Sequence, residues 1–264
     1  MIIATFNVNS VRQREAHLMR WLKARAPDIV CLQELKCEDH AFPRSEIEAL
    51  GYQVETHGQK TFNGVAILSR FPITIEERGL PGFPDEQARY IEAVASLPGE
   101  KGAPGTAIRV ASIYCPNGNP APGPKYAYKR AFMAALMGHA RALLALEEML
   151  VLAGDYNVIP EPRDARNPDL WRADALFLPE SRADFRRLLA LGLTDALRAT
   201  TDSGGLYSFW DYQAGAWPRD NGIRIDHLLL SPRAADRLRG TGIDRDLRGA
   251  EKPSDHVPVW AELG

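Results

Sequence analysis

Hydrophobic and polar positions along the chain fall into short runs, and several of these are almost continuously apolar while others alternate. The runs are "IIATFNV" (2–8), "DIVCLQE" (28–34), "GVAILS" (64–69), "YIEAVASL" (90–97), "AIRVASIYC" (107–115), "LVLAGDYN" (150–157), "RIDHLLLS" (224–231) and "VPVWAEL" (257–263). Each reads as a strand, and the continuous ones suit a sheet covered on both faces. Helical spacing of apolar residues covers 11–25, 125–149 and 182–191. The last of these opens "SRAD", which predicts a capping box starting at Ser181, and it stops at Gly192. Many strands with helices interspersed predict a layered α/β domain with a sheet or a sheet pair inside. Strand order does not follow from the pattern.

Between the runs lie two irregular stretches. "CPNGNPAPGP" (115–124) is rich in turn formers and reads as a loop. Residues 157–181 make a stretch that is long for a structureless loop in a compact domain. Its aromatic, leucine and isoleucine positions predict that it is ordered.

The apolar runs share an oddity: they end in polar side chains. Asn7 lies near the end of the first, Gln33 and Glu34 end the second, and Asp155 and Asn157 end "LVLAGDYN". Asp226 sits inside "RIDHLLLS", and Asp255 with His256 stands just before the final strand. Strand side chains alternate, so Asp155 and Asn157 should point one way and Tyr156 the other. Any single aspartate here is more often a turn former or an arginine partner than a ligand. Several such ends together are another matter, because a buried carboxylate must be neutralised. If the ends converge, they form a ring of hard oxygen donors with little histidine and no cysteine, which suits Mg²⁺, with Mn²⁺ as a substitute, better than Zn²⁺.

Composition narrows the setting. The chain has 264 residues, with 45% hydrophobic and 25% charged, so one domain over 1–264 accommodates it. No run approaches the roughly 18 apolar residues of a membrane span. The first residues lack a basic, apolar leader, and the odd number of cysteines, three, argues against a disulfide framework; a cytoplasmic protein is expected. A net charge of −2 excludes a surface basic all over, but not one basic face opposed to an acidic pocket.

In their order, "FNVNSVRQR", "CLQELK", "NGVAILSR", "ARYIEA", "YCPNG", "GDYNV", "FWDY", "RIDHLLLS" and "SDHVPVW" resemble the exonuclease III family of apurinic/apyrimidinic endonucleases. The likeness spans essentially the whole chain. It implies a four-layer α/β sandwich in which two packed β-sheets are flanked by helices. It also implies a monomeric DNA repair enzyme that uses Mg²⁺ to cut duplex DNA 5′ of abasic sites, with 3′-to-5′ exonuclease and 3′-phosphodiesterase activity on blocked 3′ ends. By the same resemblance Glu34 is the main metal ligand, with Asn7, Asp155, Asn157 and Asp255 near the ion. Asp226 then orients the catalytic His256 and Tyr114 lies close to the phosphate; the water proton goes to Asp155, positioned by Asn157, or to His256.

Phe209, Trp210, Ile223 and Ile225 match a pocket for a flipped-out abasic sugar, and position 223 is aromatic in some relatives but aliphatic here. Core packing is an equal reading for Trp210. Arg89, Lys125 and Lys129 are candidates for phosphate contacts, or else solvated surface residues. His227 should face away from Asp226 and takes no catalytic role, and His17, His40, His57 and His139 are left as surface or structural. Rival readings are a phosphatase or phosphodiesterase acting on inositol phosphates or lipids, and a DNA-binding module without activity. The repair-type motifs disfavour the first, and the full set of site residues disfavours the second.

Overall fold

The computed structural model describes residues 1–99 and 105–264, and its twelve strands form two six-stranded mixed sheets. The first contains β1 (Ile2–Asn7), β2 (Ile29–Gln33), β3 (Gln53–His57), β4 (Val65–Ser69), β11 (Leu238–Ile243) and β12 (Val259–Leu263), in the order β11-β12-β1-β2-β4-β3. The second contains β5 (Ile73–Arg78), β6 (Tyr90–Leu97), β7 (Thr106–Tyr114), β8 (Leu150–Asp155), β9 (Thr194–Asp195) and β10 (Asp226–Leu230), in the order β5-β6-β7-β8-β10-β9. Helices α1 (Glu15–Arg25), α2 (Arg44–Glu48), α3 (Pro124–Leu144), α4 (Pro179–Leu189), α5 (Ala196–Thr200) and α6 (Pro232–Ala235) connect them.

Strand alternation sorts the apolar side chains into layers. Ile3, Ile29, Cys31 and Ile67 of the first sheet pack on Ile91, Val110, Val151, Ala153 and Leu228 of the second, forming the inter-sheet core. Their neighbours in sequence point outward. Ala4, Phe6, Val30 and Leu32 pack under Leu18, Trp21 and Leu22 of α1. Ala111, Ile113, Leu150 and Leu152 pack under Phe132, Met133 and Leu136 of α3 and Phe185 and Leu188 of α4. Both faces of the central strands are buried, which is why they read as continuous apolar runs. The four-layer sandwich implied by the resemblance is the architecture found.

The pattern of apolar residues missed β3, β5, β9 and β11, and these are the outer strands of the two sheets. An edge strand is half solvated and carries polar or small residues, as "ITIEER" and "LRGTGI" do, so its periodicity is weak. Helix ends also differ. Residues 11–14 form a turn before α1, and α3 stops at Leu144, so 145–149 lead into β8. Ser181 is not a cap: α4 begins at Pro179 behind Leu178, and the Ser181 hydroxyl donates to the Ala175 carbonyl. Proline at the first helical position already has the φ a helix needs, and so starts the helix three residues earlier.

Two parallel pairings decide where the polar strand ends go. β1 and β2 run side by side with Asn7 opposite Gln33, and β7 and β8 with Tyr114 opposite Asp155. β10 runs against β8, so that its first residue, Asp226, also pairs with Asp155. All these ends therefore reach one rim of the sandwich. A polar tie joins the sheets just inside it. Thr5 Oγ1 donates to Gln33 Oε1 at 3.1 Å, Gln33 Nε2 donates to Ser112 Oγ at 3.0 Å, and Ser112 Oγ donates to the Leu32 carbonyl at 2.8 Å.

The long stretch after β8 is ordered by a buried ion cluster. Arg224 is 1% exposed; its Nε and Nη2 donate to Asp164 at 2.7 and 3.2 Å, and Nη1 donates to Asp195 at 2.8 Å. Its Nη1 also lies 3.0 Å from His227 Nδ1, which must then accept, leaving His227 Nε2–H to donate to the Val158 carbonyl at 3.1 Å. Burial, with Arg224 beside it, pushes the His227 pKa down to about 4, so it stays neutral. His227 packs against Phe185 and Tyr156, on the face opposite Asp226.

Two stability tests follow from this packing. A Cβ on Gly154 would drive into the Ile113 carbonyl and part β7 from β8. Overpacking of this kind costs roughly 1–3 kcal/mol, so thermal unfolding of Gly154→Ala should show Tm lower by roughly 2–10 °C. Arg224→Leu leaves the buried Asp195 without its arginine and Asp164 with Arg198 alone, at a cost of about 3–5 kcal/mol. Denaturant unfolding should register that full loss; a midpoint equal to wild type would show the cluster contributes nothing.

Candidate active site

At the rim, side chains that would continue the inter-sheet core become polar. Asn7 follows Ile3 and Thr5 on the inward face of β1, Asp155 follows Val151 and Ala153 on β8, and Asp226 shares its face with Leu228 and Leu230 on β10. Tyr114 stands at the same level on β7, half-buried. Glu34 lies one residue past β2 and is brought inward by a left-handed backbone, φ +52°. Asn157, two residues past the end of β8, has φ +49°. Left-handed geometry is ordinary for asparagine but costs a glutamate on the order of 1 kcal/mol, which the surrounding contacts must offset.

Glu34, Asp155 and His256 each offer one ligand atom, and the three atoms lie within 4.8 Å of one another. Asn7 stands between the two carboxylates. Its Nδ2 donates to Glu34 Oε1 at 2.8 Å and to Asp155 Oδ2 at 2.9 Å, while its Oδ1 accepts from the Asn9 amide at 3.0 Å. With its oxygen engaged by backbone, Asn7 orders the carboxylates and leaves their remaining lone pairs free. His256 Nδ1 is 2.8 Å from Asp226 Oδ2, which also accepts from Ser208 Oγ at 2.6 Å. His256 Nε2 faces Asp155 Oδ2 at 3.7 Å.

Charge and burial act against each other here. Burial disfavours the Glu34 carboxylate, but Lys36, 2.9 Å away, and Asn7 outweigh it and hold its pKa below the usual value. Burial pushes the Asp155 pKa up, and the nearby Asp226 and Glu34 carboxylates push the same way. Burial works against an imidazolium at His256, yet Asp226 and Asp155 prevail and raise its pKa. Burial, then Glu34 and Asp155, keep the Tyr114 hydroxyl protonated. Two buried carboxylates and the partly buried Glu34, with one imidazole and one lysine, form an anionic nest whose donor set fits a hard divalent cation.

Not every expected residue joins the nest. The half-buried Asp255 turns away, its Oδ1 accepting from Asn9 Nδ2 at 2.9 Å. Its neighbour His256 takes the place beside the carboxylates. The Asn157 amide is committed to protein: Nδ2 donates to the Cys115 carbonyl at 2.9 Å, Oδ1 accepts from Asn117 Nδ2 at 3.2 Å, and its backbone N–H donates to Asp155 Oδ1 at 2.9 Å. Phe209 is half-buried and meets the His256 ring edge-on at 5.0 Å. Behind it Ile223 and Ile225 are buried in one apolar cluster with Ile159, Leu176 and Phe177.

Trp210 is 0% exposed and packs instead on Tyr207 and Trp217, so it supports the loop and forms no wall of an open pocket. Arg89 lies over the Tyr114 ring at 4.8 Å, and with Glu34, Lys36 and Phe62 it lines a cleft of about 500 Å³ beside the nest. Lys125 is exposed, whereas Lys129 is wholly buried and reaches neither solvent nor any phosphate. His139 is also structural, bonded to the buried Glu92 at 2.7 Å.

Asn9, Lys36, Asn117 and Ser208 also hold the site, although sequence reasoning gave them no role. Each lies within a motif already quoted, "FNVNS", "CLQELK", "YCPNG" and "FWDY" with the serine just before it. That adjacency was the available signal.

Comparison with known proteins agrees with this geometry. Residues 4–256 match the model of the endonuclease/exonuclease/phosphatase family. Exodeoxyribonuclease III of Haemophilus influenzae is 35% identical over 272 residues, covering 100% of both chains. The 3′ phosphatase NExo from Neisseria, solved bound to a product DNA hairpin, superposes with a TM-score of 0.91 at 37% identity, covering 100% of this chain and 99% of that one. An AP endonuclease from Archaeoglobus fulgidus gives 0.90 at 36% identity, again covering 100% of this chain and 99% of the other. A shared sequence along the full length, a shared fold and a carboxylate–histidine nest at the sandwich rim make this chain a member of the endonuclease/exonuclease/phosphatase family.

Proposed function

We propose that the protein is a DNA repair nuclease that hydrolyses phosphodiester bonds 5′ of abasic sites in duplex DNA and trims blocked 3′ ends. The observation that carries this reading is the convergence of Glu34, Asp155 and His256, with Asp226 behind the histidine. Relatives that are an exodeoxyribonuclease, an AP endonuclease and a 3′ phosphatase support the substrate class.

Phosphodiester hydrolysis needs an oriented water and stabilisation of charge on the phosphoryl oxygens. Asp155 takes the water proton, its position set by the Asn157 amide N–H and Asn7 Nδ2. Asp226 fixes the His256 ring through Nδ1, leaving Nε2–H to donate to a phosphoryl oxygen as its charge grows. Tyr114, kept protonated, is a second donor at the same level. Glu34 would hold a divalent cation, Mg²⁺ with Mn²⁺ as a substitute, which when bound supplies Lewis-acid polarisation of the phosphate.

Phe209, backed by Ile223 and Ile225, receives the flipped-out sugar, which leaves the helix at little cost because it has no base to unstack. Arg89 contacts the backbone beside it. One copy of the chain carries the whole site, so a monomer suffices.

A duplex with a single abasic analogue should be nicked in Mg²⁺ and left intact in excess chelator; cleavage that persists in chelator would sink the metal-dependent reading. Asp155→Asn should lower kcat by roughly 10²–10⁴-fold, the range for a lost general base, with DNA affinity held within a few-fold. Turnover near wild type would remove Asp155 from that role.

A further inference from the structure

Lys129 is a charged group that the mechanism above leaves unused. It lies in α3, 0% exposed, and its Nζ donates to the Asn117 carbonyl at 3.1 Å and to the Asn157 carbonyl. Its bonding partners are carbonyls rather than carboxylates. Gly118 lies against its methylene stem, where a Cβ would meet Lys129 Cδ at 2.7 Å. The close passage of the lysine and a backbone φ of +93° both call for glycine at this position.

A buried ammonium is costly, and a well-packed apolar side chain in its place is often neutral or stabilising. Filling the space under α3 thus gives no reason for a lysine. The two carbonyls it joins belong to Asn117, in the loop after β7, and Asn157, in the turn after β8. Their side chains meet on the other side of that turn, Asn117 Nδ2 donating to Asn157 Oδ1 at 3.2 Å, and the Asn157 N–H holds Asp155 Oδ1. Without the ammonium, the buried Asn157 carbonyl would lose its donor, the Asn117 carbonyl would be untied from it, and the left-handed turn at Asn157 would lose one of its anchors.

We propose that Lys129 is a positioning residue: its buried ammonium ties the Asn117 loop to the Asn157 turn and so fixes Asn117, Asn157 and Asp155 relative to one another. Burial lowers the Lys129 pKa, while the carboxylates of Asp155, Asp174 and Asp184 work to keep it charged.

The inference rests on the nuclease reading, so wild-type cleavage of the abasic duplex is the control; if wild type fails to cut, that reading fails and this one is not reached. In Lys129→Met and Lys129→Gln, made in parallel, kcat should fall ten- to hundred-fold while KM and DNA affinity in chelator stay within three-fold. Lys129→Arg, which restores a cation and its donors, should recover most of the loss. Leu136→Ala, a core truncation on the same helix, supplies a variant with a similar fall in Tm and unchanged kcat. A kcat within two-fold of wild type in either neutral variant would overturn the proposal, as would an equal kcat loss in Leu136→Ala. Failure of both neutral variants to fold would make the ammonium a folding requirement and overturn it too.

Discussion

Negative charge held at the mouth of a hydrophobic core is the constraint on which this molecule turns. The two sheets close on each other along an apolar interface, and at one rim that interface ends in Glu34, Asp155 and Asp226 with His256 among them. Carboxylates so placed repel one another and lose their hydration, so the fold surrounds them with donors: Asn7 across two of them, Lys36 on Glu34, Ser208 and His256 on Asp226. These donors moderate the charge without cancelling it. A nest left anionic in this way is prepared for a cation and a phosphate.

Gln33, whose type suggested a ligand, instead stitches the sheets together one layer below. Asp164 and Asp195, which carry charge as buried as that of the site, are fully answered by Arg224 and Arg198. The contrast separates structural acids from reactive ones: the former are paired with buried arginine, bidentately at Asp164, whereas the latter face histidine, amide, hydroxyl and one lysine. It also explains why counting acidic residues along the chain would not have found the site.

Much was legible from the residues. The continuous apolar runs located the central strands because both of their faces are buried, and alternation set Asp155 opposite Tyr156 and Asp226 opposite His227, as found. The four outer strands were illegible for the same reason in reverse, since a solvated edge keeps no strong period. The site was readable as a set of polar strand ends, but those ends could not be ranked. Asp255 and His256 are adjacent in sequence, and a turn of the backbone gives the histidine to the nest and the aspartate to Asn9. Trp210 read equally as pocket wall or core and Lys129 as phosphate contact or solvated surface, and only the packing around them shows that both are enclosed.

The sequence by itself determined which segments are strands, which side chains share a face, and which donor types are available, because periodicity and chemistry are local properties. The tertiary structure alone decided convergence. Parallel pairing of β1 with β2 and of β7 with β8, with β10 running back against β8, brings to one rim residues up to about two hundred positions apart. Distance along a chain carries no information about that meeting; it is set by register and by how two twisted sheets pack, which depend on every strand at once.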